Sequence, residues 1–450
     1  MLYNWLFARH GGGRVVLRFE DTDRERSTDD AVEQALRVLE WLRIDWDDGP
    51  YRQTERLDLY RAAVRELVDR DAAYPCYCTA EELAAERARR EREGLPLIYG
   101  GRCASLTAGE RAEFEAAGRT PAVRLRVPAA GATEIVDMVR GHIEWDNALL
   151  GDHVIVRSDG MPTYQFANPF DDIQMGVTHV IRGEDLLPST PRQLALYTAL
   201  GSEPPRYGHL PMVLGRDRKR LSKRHGAASV EELRELGVLP DALANYLALV
   251  GWSYDDRTDF MTRAQLVERF TIERVNPSPG VFDLEKLEWL NGEHVRAMAP
   301  AEFAAAVQAH LEYVGSPLAA QPGRVAQAAP LVQEKLRVLS QFEGLTGFLF
   351  GPLQMRPEAW ERVMGDPEAP RALTACRSAL EGLGEWTAAA IEVALRGAGE
   401  ATGLKPRVLF GPVRVAVTGS TVSPGLFESL ELLGRDESLA RIGAALKRLS

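Results

Sequence analysis

Between His209 and Gly226 the chain carries Arg216, Arg218, Lys219, Arg220, Lys223 and Arg224 around a single hydroxyl, Ser222. A dense cationic run with a serine suits a polyphosphate. Lysine offers a mobile point charge, and the hydroxyl and neighbouring amides offer donors. Their greatest effect would come when charge builds on a leaving pyrophosphate; one well-placed donor or cation there is worth about 3–4 kcal/mol of barrier. A solvated basic loop is the competing reading of these residues alone.

Two further groups have chemical potential. Glu20, Asp21 and Asp23 follow a β-branched run and could bind a metal, cap a helix or grip an ammonium. Tyr164 and Asn168, with Arg182 further on, offer a phenol, an amide and a guanidinium. Such a set suits a dicarboxylic substrate, because arginine can hold a carboxylate by two parallel hydrogen bonds. Taken singly, each also reads as an ordinary core, turn or surface residue. Cys76 and Cys78, followed by Cys103 with Tyr99 four residues earlier, have a spacing that suits tetrahedral zinc. A set of reduced thiols is the alternative. Cys376 lies far off in a helical segment and reads as core.

The elements that would position these groups alternate. The spacing predicts a helical tail over 1–9, ended by Gly11, Gly12 and Gly13. It predicts a strand over 15–20, a helix from Ser27 to Leu42 with Ser27 and Asp30 as a capping box, and a second helix through Leu57, Tyr60, Val64 and Leu67. Such alternation argues for an α/β sheet, whose ligands sit at the carboxyl ends of the strands. Residues 76–150 break the rhythm with the cysteine cluster, a charged helix over 80–93 and short strands such as 123–127, and read as an insertion. The pattern resumes with a strand over 179–182 and a helix capped by Thr190, with Pro191 in its first turn and Gly201 at its end. From about residue 230 the chain reads as mostly helical, starting with a Ser229–Glu232 capping box.

The chain has 450 residues, 45% hydrophobic and 26% charged, enough for several cores. Its net charge of −11 argues against generic polyanion binding, so any nucleic-acid contact must use local basic patches. Four cysteines, three of them clustered, do not form a disulfide framework. No apolar stretch is long enough to span a bilayer, and no charged leader with an apolar core opens the sequence. A cytoplasmic protein with no membrane association is expected.

Taken in order, these segments resemble the bacterial glutamyl-tRNA synthetases, a class I aminoacyl-tRNA synthetase family, over the whole chain. The run from Arg220 to Arg224 resembles the Lys-Leu-Ser-Lys-Arg form of the class I ATP loop, with Arg220 in place of the first lysine. The resemblance implies phosphate contacts from Arg220, Ser222 and above all Lys223. Leu17 to Arg24 resembles the segment whose glutamate receives the substrate amino group, which carries over to Glu20. Tyr164, Asn168 and Arg182 match the family's glutamate pocket. Asp185 and Leu186 stand where the family usually has Glu-Trp beside the nucleotide; the missing tryptophan removes an adenine-packing ring. Related paralogues end their zinc knuckle in Tyr-x-x-x-Cys, which matches Tyr99 and Cys103 beside Cys76 and Cys78.

The implied architecture is a Rossmann-like catalytic domain (1–75 and 151–228) with an inserted α+β acceptor-binding domain (76–150). A stem-contact domain (229–300) and an all-α anticodon-binding domain (301–450) follow. The implied partners are ATP with Mg2+, L-glutamate and tRNA(Glu), with structural zinc and a monomeric state expected. Class I synthetases have a second nucleotide motif, His-x-Gly-His or a variant, and none occurs in this sequence. The resemblance places it about twenty residues before a stretch like Tyr3–His10, at a helix N-terminus suited to phosphate. The expectation is therefore a native chain that begins upstream of Met1. The rival reading is a truncated synthetase that binds tRNA without activating glutamate. A tRNA-base-modifying paralogue would lack the last third of the chain, and a glutaminyl enzyme would end in β-barrels rather than helices.

Overall fold

Residues 1–22, 27–220 and 229–450 are described by the computed structural model of the chain. They fall into two units: Met1–Ala227 with Ala244–Asp283, and Ala228–Leu243 with Leu284–Ser450.

In the first unit, helix α1 (Leu2–His10) buries Leu2, Trp5 and Leu6, an i, i+3, i+4 stripe, and stops at Gly11. Gly12 takes the left-handed backbone (φ +64°) that the chain needs to turn back, and the Gly13 N–H donates to Ala8 O at 2.7 Å. Strand β1 (Val16–Phe19), helix α2 (Asp29–Trp41) and strand β2 (Asp48–Arg52) follow, with β1 and β2 parallel. The cap of α2 is Thr28, whose hydroxyl accepts from the Ala31 N–H; the expected Ser27–Asp30 box does not form. Thr28 sits one residue nearer the first turn, where its oxygen reaches a free amide. Gly49 in β2 has φ +98°, and any Cβ there would lie 2.3 Å from Leu17 O, so only glycine lets the two strands meet.

Helix α3 (Leu57–Asp69) leads to strand β3 (Ala73–Cys76), and helices α4 (Ala80–Arg92) and α5 (Ala108–Ala116) each start with a complete capping box. Strands β4 (Ala122–Leu125), β5 (Ala132–Asp137), β6 (Gly141–Asp146) and β7 (Val154–Val156) come next. They form an antiparallel sheet β3-β4-β7 and a separate hairpin β5-β6. Helix α6 (Tyr164–Gln174), strand β8 (His179–Gly183), helix α7 (Thr190–Leu200) and strand β9 (Arg206–Leu210) make a β-α-β unit in which β8 and β9 are parallel. The core between α3, α6, α7 and the three-stranded sheet holds Leu67, Leu125, Ile155, Phe166 and Leu196, all fully buried. Phe166 and Phe170 stack at 5.6 Å, and Tyr60 meets both edge-on. Burying each such ring contributes about 1.5–3 kcal/mol.

The second unit has helices and no strand among its described residues. Ser229 and Glu232 form the expected capping box. One core runs through Phe303, Val307, Phe342, Leu373, Cys376, Leu395, Val413 and Ile442. Cys376 is thus packing, as its helical setting suggests. Arg441 is the notable buried charge. Its guanidinium donates to Phe348 O and Val417 O, carbonyls left open where backbone segments end. Asn291 likewise joins Leu239 N–H and Arg337 O. Among the described residues no helix is long and apolar enough to cross a membrane.

Candidate active site

Glu20 immediately follows β1, and Arg182 is the fourth residue of β8, so both lie at strand carboxyl ends. Tyr164 and Asn168 are one turn apart on α6. The structure brings these four sequence-predicted residues together. The Asn168 amide Nδ2 donates to Glu20 Oε1, and Arg182 Nη1 donates to the Tyr164 hydroxyl at 3.0 Å. Surrounding protein pushes the Glu20 carboxyl above the ordinary glutamate range, although the residue keeps an exposed face; its bond from Asn168 and the nearby Arg18 and Arg182 charges pull the other way. Among the described residues no cation is within ion-pair distance of Glu20, and no carboxylate is within that distance of Arg182.

Neutral groups fill the remaining guanidinium positions of Arg182. Nη1 also donates to Gln193 Oε1 at 2.8 Å, Nη2 to Thr190 Oγ1 at 2.8 Å, and Nε to His209 Nε2 at 3.1 Å. Thr190 is therefore not the cap of α7. That helix starts from Ser189, whose hydroxyl accepts from Gln165 Nε2 at 3.0 Å rather than from a first-turn amide, while the Thr190 hydroxyl accepts from Arg182. The guanidinium is thus held in place by four neutral partners, without a direct ion pair among the described residues.

Beneath Asn168 lies a buried polar network. Gln53 Nε2 donates to Asn168 Oδ1 at 2.9 Å and to Asp171 Oδ2 at 3.3 Å. Asp171 also accepts from Arg56 Nε (2.8 Å) and Tyr60 OH (2.7 Å), while Arg18 pairs with Asp172 at 2.9 Å. Burial pushes Asp172 above the ordinary aspartate value against the pull of Arg18. Asp21 does not cap α2; its carboxylate accepts from the Thr54 N–H and hydroxyl at 2.9 and 2.7 Å, in the first turn of the 3-10 helix Gln53–Arg56, and fastens the end of β1 to it. Asp23 lies outside the described residues.

Strand β10 (Val213–Leu214) leads into the basic run and pairs with β11 (Gly280–Val281). The chain turns at Arg218 (φ +59°), and Arg220 returns opposite Leu214. Arg220 Nη2 then meets Asp185 Oδ2 at 3.1 Å, so two of the nucleotide-site candidates touch. Ser222 and Lys223 lie outside the described residues.

The cysteine cluster stands apart from this site. Cys78 Sγ and Cys103 Sγ are 3.6 Å apart, the Tyr99 hydroxyl is 3.5 Å from Cys76 Sγ and 3.6 Å from Cys78 Sγ, and the three sulfurs lie within 4.8 Å of one another. A Zn–S bond of about 2.3 Å sets a tetrahedral edge of about 3.8 Å. The 3.5, 3.6 and 3.6 Å separations within the cluster are close to that edge, as a bound zinc would need. The Cys103 N–H donates to the Tyr99 oxygen at 2.8 Å, and the Arg124 guanidinium lies 3.9 Å over the Tyr99 ring; burial beside the three thiols nevertheless holds the Tyr99 hydroxyl above the ordinary phenol range. Burial pushes the Cys78 thiol up to about 12.

Sequence reasoning did not find Gln53, Asp137, His209 or Gln193. Gln53, Asp137 and His209 act through contacts 115, 72 and 27 residues apart, and Gln193 meets Arg182 across 11 residues, from a helix to the neighbouring strand.

A parallel α/β unit with ligand groups at its strand ends, followed by a helical unit, is the architecture of a class I synthetase. Residues 1–289 match the family described as "tRNA synthetases class I (E and Q), catalytic domain", and residues 302–446 match "Anticodon binding domain". A Desulforamulus reducens protein named glutamate–tRNA ligase is 40% identical over 461 residues, covering 99% of this chain and 95% of its own. A Streptomyces griseus protein of the same name is 44% identical over 467 residues, covering 100% and 92%. The crystal structure of a glutamate tRNA ligase from Elizabethkingia meningosepticum in complex with its amino acid superposes with a TM-score of 0.87 at 28% identity, over 100% of this chain and 95% of that one. The chain belongs to the glutamate–tRNA ligase family.

Proposed function

We propose that this chain activates L-glutamate with ATP and transfers it to the 3′ end of tRNA(Glu). The observation that carries this reading is that Arg182, whose four side-chain partners are all neutral, and Glu20, which has no ion-pair partner among the described residues, are held by Tyr164 and Asn168, one turn apart on α6. A glutamate zwitterion presents the complementary charges: its ammonium suits Glu20 and one of its carboxylates suits Arg182. Tyr164 and Asn168 orient those two groups through their hydrogen bonds.

In the first step an oxygen of the substrate α-carboxylate attacks the α-phosphorus of ATP, forming the acyl–phosphate bond as the bond to pyrophosphate breaks. In the second a hydroxyl of the terminal ribose attacks the acyl carbon and AMP leaves. Positioning and charge stabilisation account for most of the acceleration. Arg220, Ser222 and Lys223 are assigned to the triphosphate and Asp185 to the nucleotide. Magnesium bound to the triphosphate would neutralise part of its charge.

Cys76, Cys78, Tyr99 and Cys103 are assigned as ligands of a structural zinc ion. The proposed domains are 1–75 with 151–228 for catalysis, 76–150 for the acceptor end, 229–300 for the stem and 301–450 for the anticodon. The protein is proposed to act as a cytoplasmic monomer. Charging of purified tRNA(Glu) and tRNA(Gln) with labelled glutamate tests this reading. Product on tRNA(Glu) supports it; product on neither overturns it.

A further inference from the structure

Asp137 closes the β5-β6 hairpin of the inserted segment, and its side chain is almost fully buried with that of His209. His209 Nδ1 lies 2.6 Å from Asp137 Oδ2, and its Nε2 accepts from Arg182 Nε at 3.1 Å. Arginine has donors only, so Nε2 must be bare and the ring proton must sit on Nδ1, facing Asp137. The Thr190 hydroxyl accepts from Arg182 Nη2 and sits 3.1 Å from the same bare Nε2, to which it can donate. The ring also stacks on Tyr207, whose face lies 5.1 Å below the Arg182 guanidinium.

Asp137 is itself overdetermined. Its Oδ1 accepts from the N–H groups of Val139, Arg140 and His209, and its hairpin is tied to β9 through Met138 N–H to Tyr207 O at 2.8 Å. Despite burial, these bonds hold its carboxyl below the ordinary aspartate range, so it stays an acceptor at neutral pH. The inserted segment thus supplies a fixed anion, the anion fixes a tautomer, and the tautomer presents an acceptor to the guanidinium.

We propose that Asp137 and His209 are positioning residues for glutamate binding: the pair sets the His209 tautomer that aims Arg182 at a substrate carboxylate. This inference rests on the reading of Arg182 as the carboxylate-binding residue. Neither residue touches substrate.

Asp137→Asn separates positioning from folding. The asparagine oxygen can keep all three backbone bonds, while its NH2 replaces the oxygen that faces Nδ1. The ring then favours a bare Nδ1 and a proton on Nε2, which sets two donors against each other at Arg182. Pyrophosphate exchange with tRNA present, on the full chain, measures KM for glutamate and for ATP separately. Loss of one charge-assisted bond predicts a glutamate KM about tenfold to a hundredfold higher for Asp137→Asn and His209→Leu. KM for ATP should stay near that of the parent in both variants, and the thermal midpoint should stay near it in Asp137→Asn; His209→Leu leaves the buried Asp137 carboxylate without a partner and lowers the midpoint. His209→Gln, whose side-chain carbonyl can accept from Arg182, should recover most of the loss. An unchanged glutamate KM in both Asp137→Asn and His209→Leu, or a parallel rise of both KM values with a falling midpoint in Asp137→Asn, overturns the inference. Arg182→Ala serves as the control: if it leaves the glutamate KM unchanged, the reading of Arg182 itself fails.

Discussion

Gln53 and Asn168 are joined by a buried amide-to-amide hydrogen bond of 2.9 Å, in which Gln53 donates and Asn168 accepts. Because the Asn168 oxygen is committed to Gln53, its NH2 must face Glu20. A residue in the turn after β2 thereby decides which end of a pocket amide meets the ammonium-binding carboxylate.

Gln53→Leu should free Asn168 to turn and leave its oxygen unpaired. An unsatisfied buried group of this kind costs about 1–3 kcal/mol. The expected result is a glutamate KM about fivefold to a hundredfold higher, with KM for ATP little changed, as measured by pyrophosphate exchange.

The Glu20 carboxyl is raised by burial, so its ionised form is lost at a higher pH than that of a free glutamate side chain, whose value is about 4.3. Only the ionised form attracts an ammonium. The glutamate KM should therefore climb as pH falls toward the acid range, while KM for ATP stays flat. Glu20→Gln should raise the glutamate KM at every pH and remove the climb.

Arg220 and Asp185 are exposed partners, and such a pair contributes little to stability. Arg220→Ala should leave the thermal midpoint unchanged. If the guanidinium meets the triphosphate, exchange should slow by about a hundredfold or more. Arg220→Lys should retain much of the rate.

The zinc assignment predicts stoichiometric metal by elemental analysis of the purified protein. Cys103→Ser should abolish it and lower the thermal midpoint, and Tyr99→Phe should weaken retention against a chelator. Because thiolates bind zinc and thiols do not, acid should release the metal. Metal-free protein with an unchanged midpoint would leave the cluster as reduced thiols.

What the sequence made legible was local. The triple glycine after α1 and the Ser229–Glu232 box work through neighbours three or four residues away, so their spacing is diagnostic. Tyr164, Asn168 and Arg182 could be grouped by residue type as a dicarboxylate-binding set, and a family resemblance strengthened the grouping; their burial and mutual bonds are tertiary. Thr190 shows the limit most clearly. It has the residue type and the following proline of a helix cap, yet the helix begins one residue earlier, from Ser189, and the Thr190 hydroxyl faces Arg182 instead. Asp137 and His209 are 72 residues apart, and their pairing depends on how a hairpin docks on a strand.

The central claim is that this chain activates glutamate at the Glu20–Arg182 pocket. Glutamate-dependent exchange of labelled pyrophosphate into ATP, measured with tRNA(Glu) present, tests it most directly. Robust exchange that Arg182→Ala and Glu20→Gln each suppress by about thirtyfold or more is the predicted result. Full tRNA binding with no glutamate-dependent exchange would contradict it and leave a tRNA-binding protein that does not activate its amino acid.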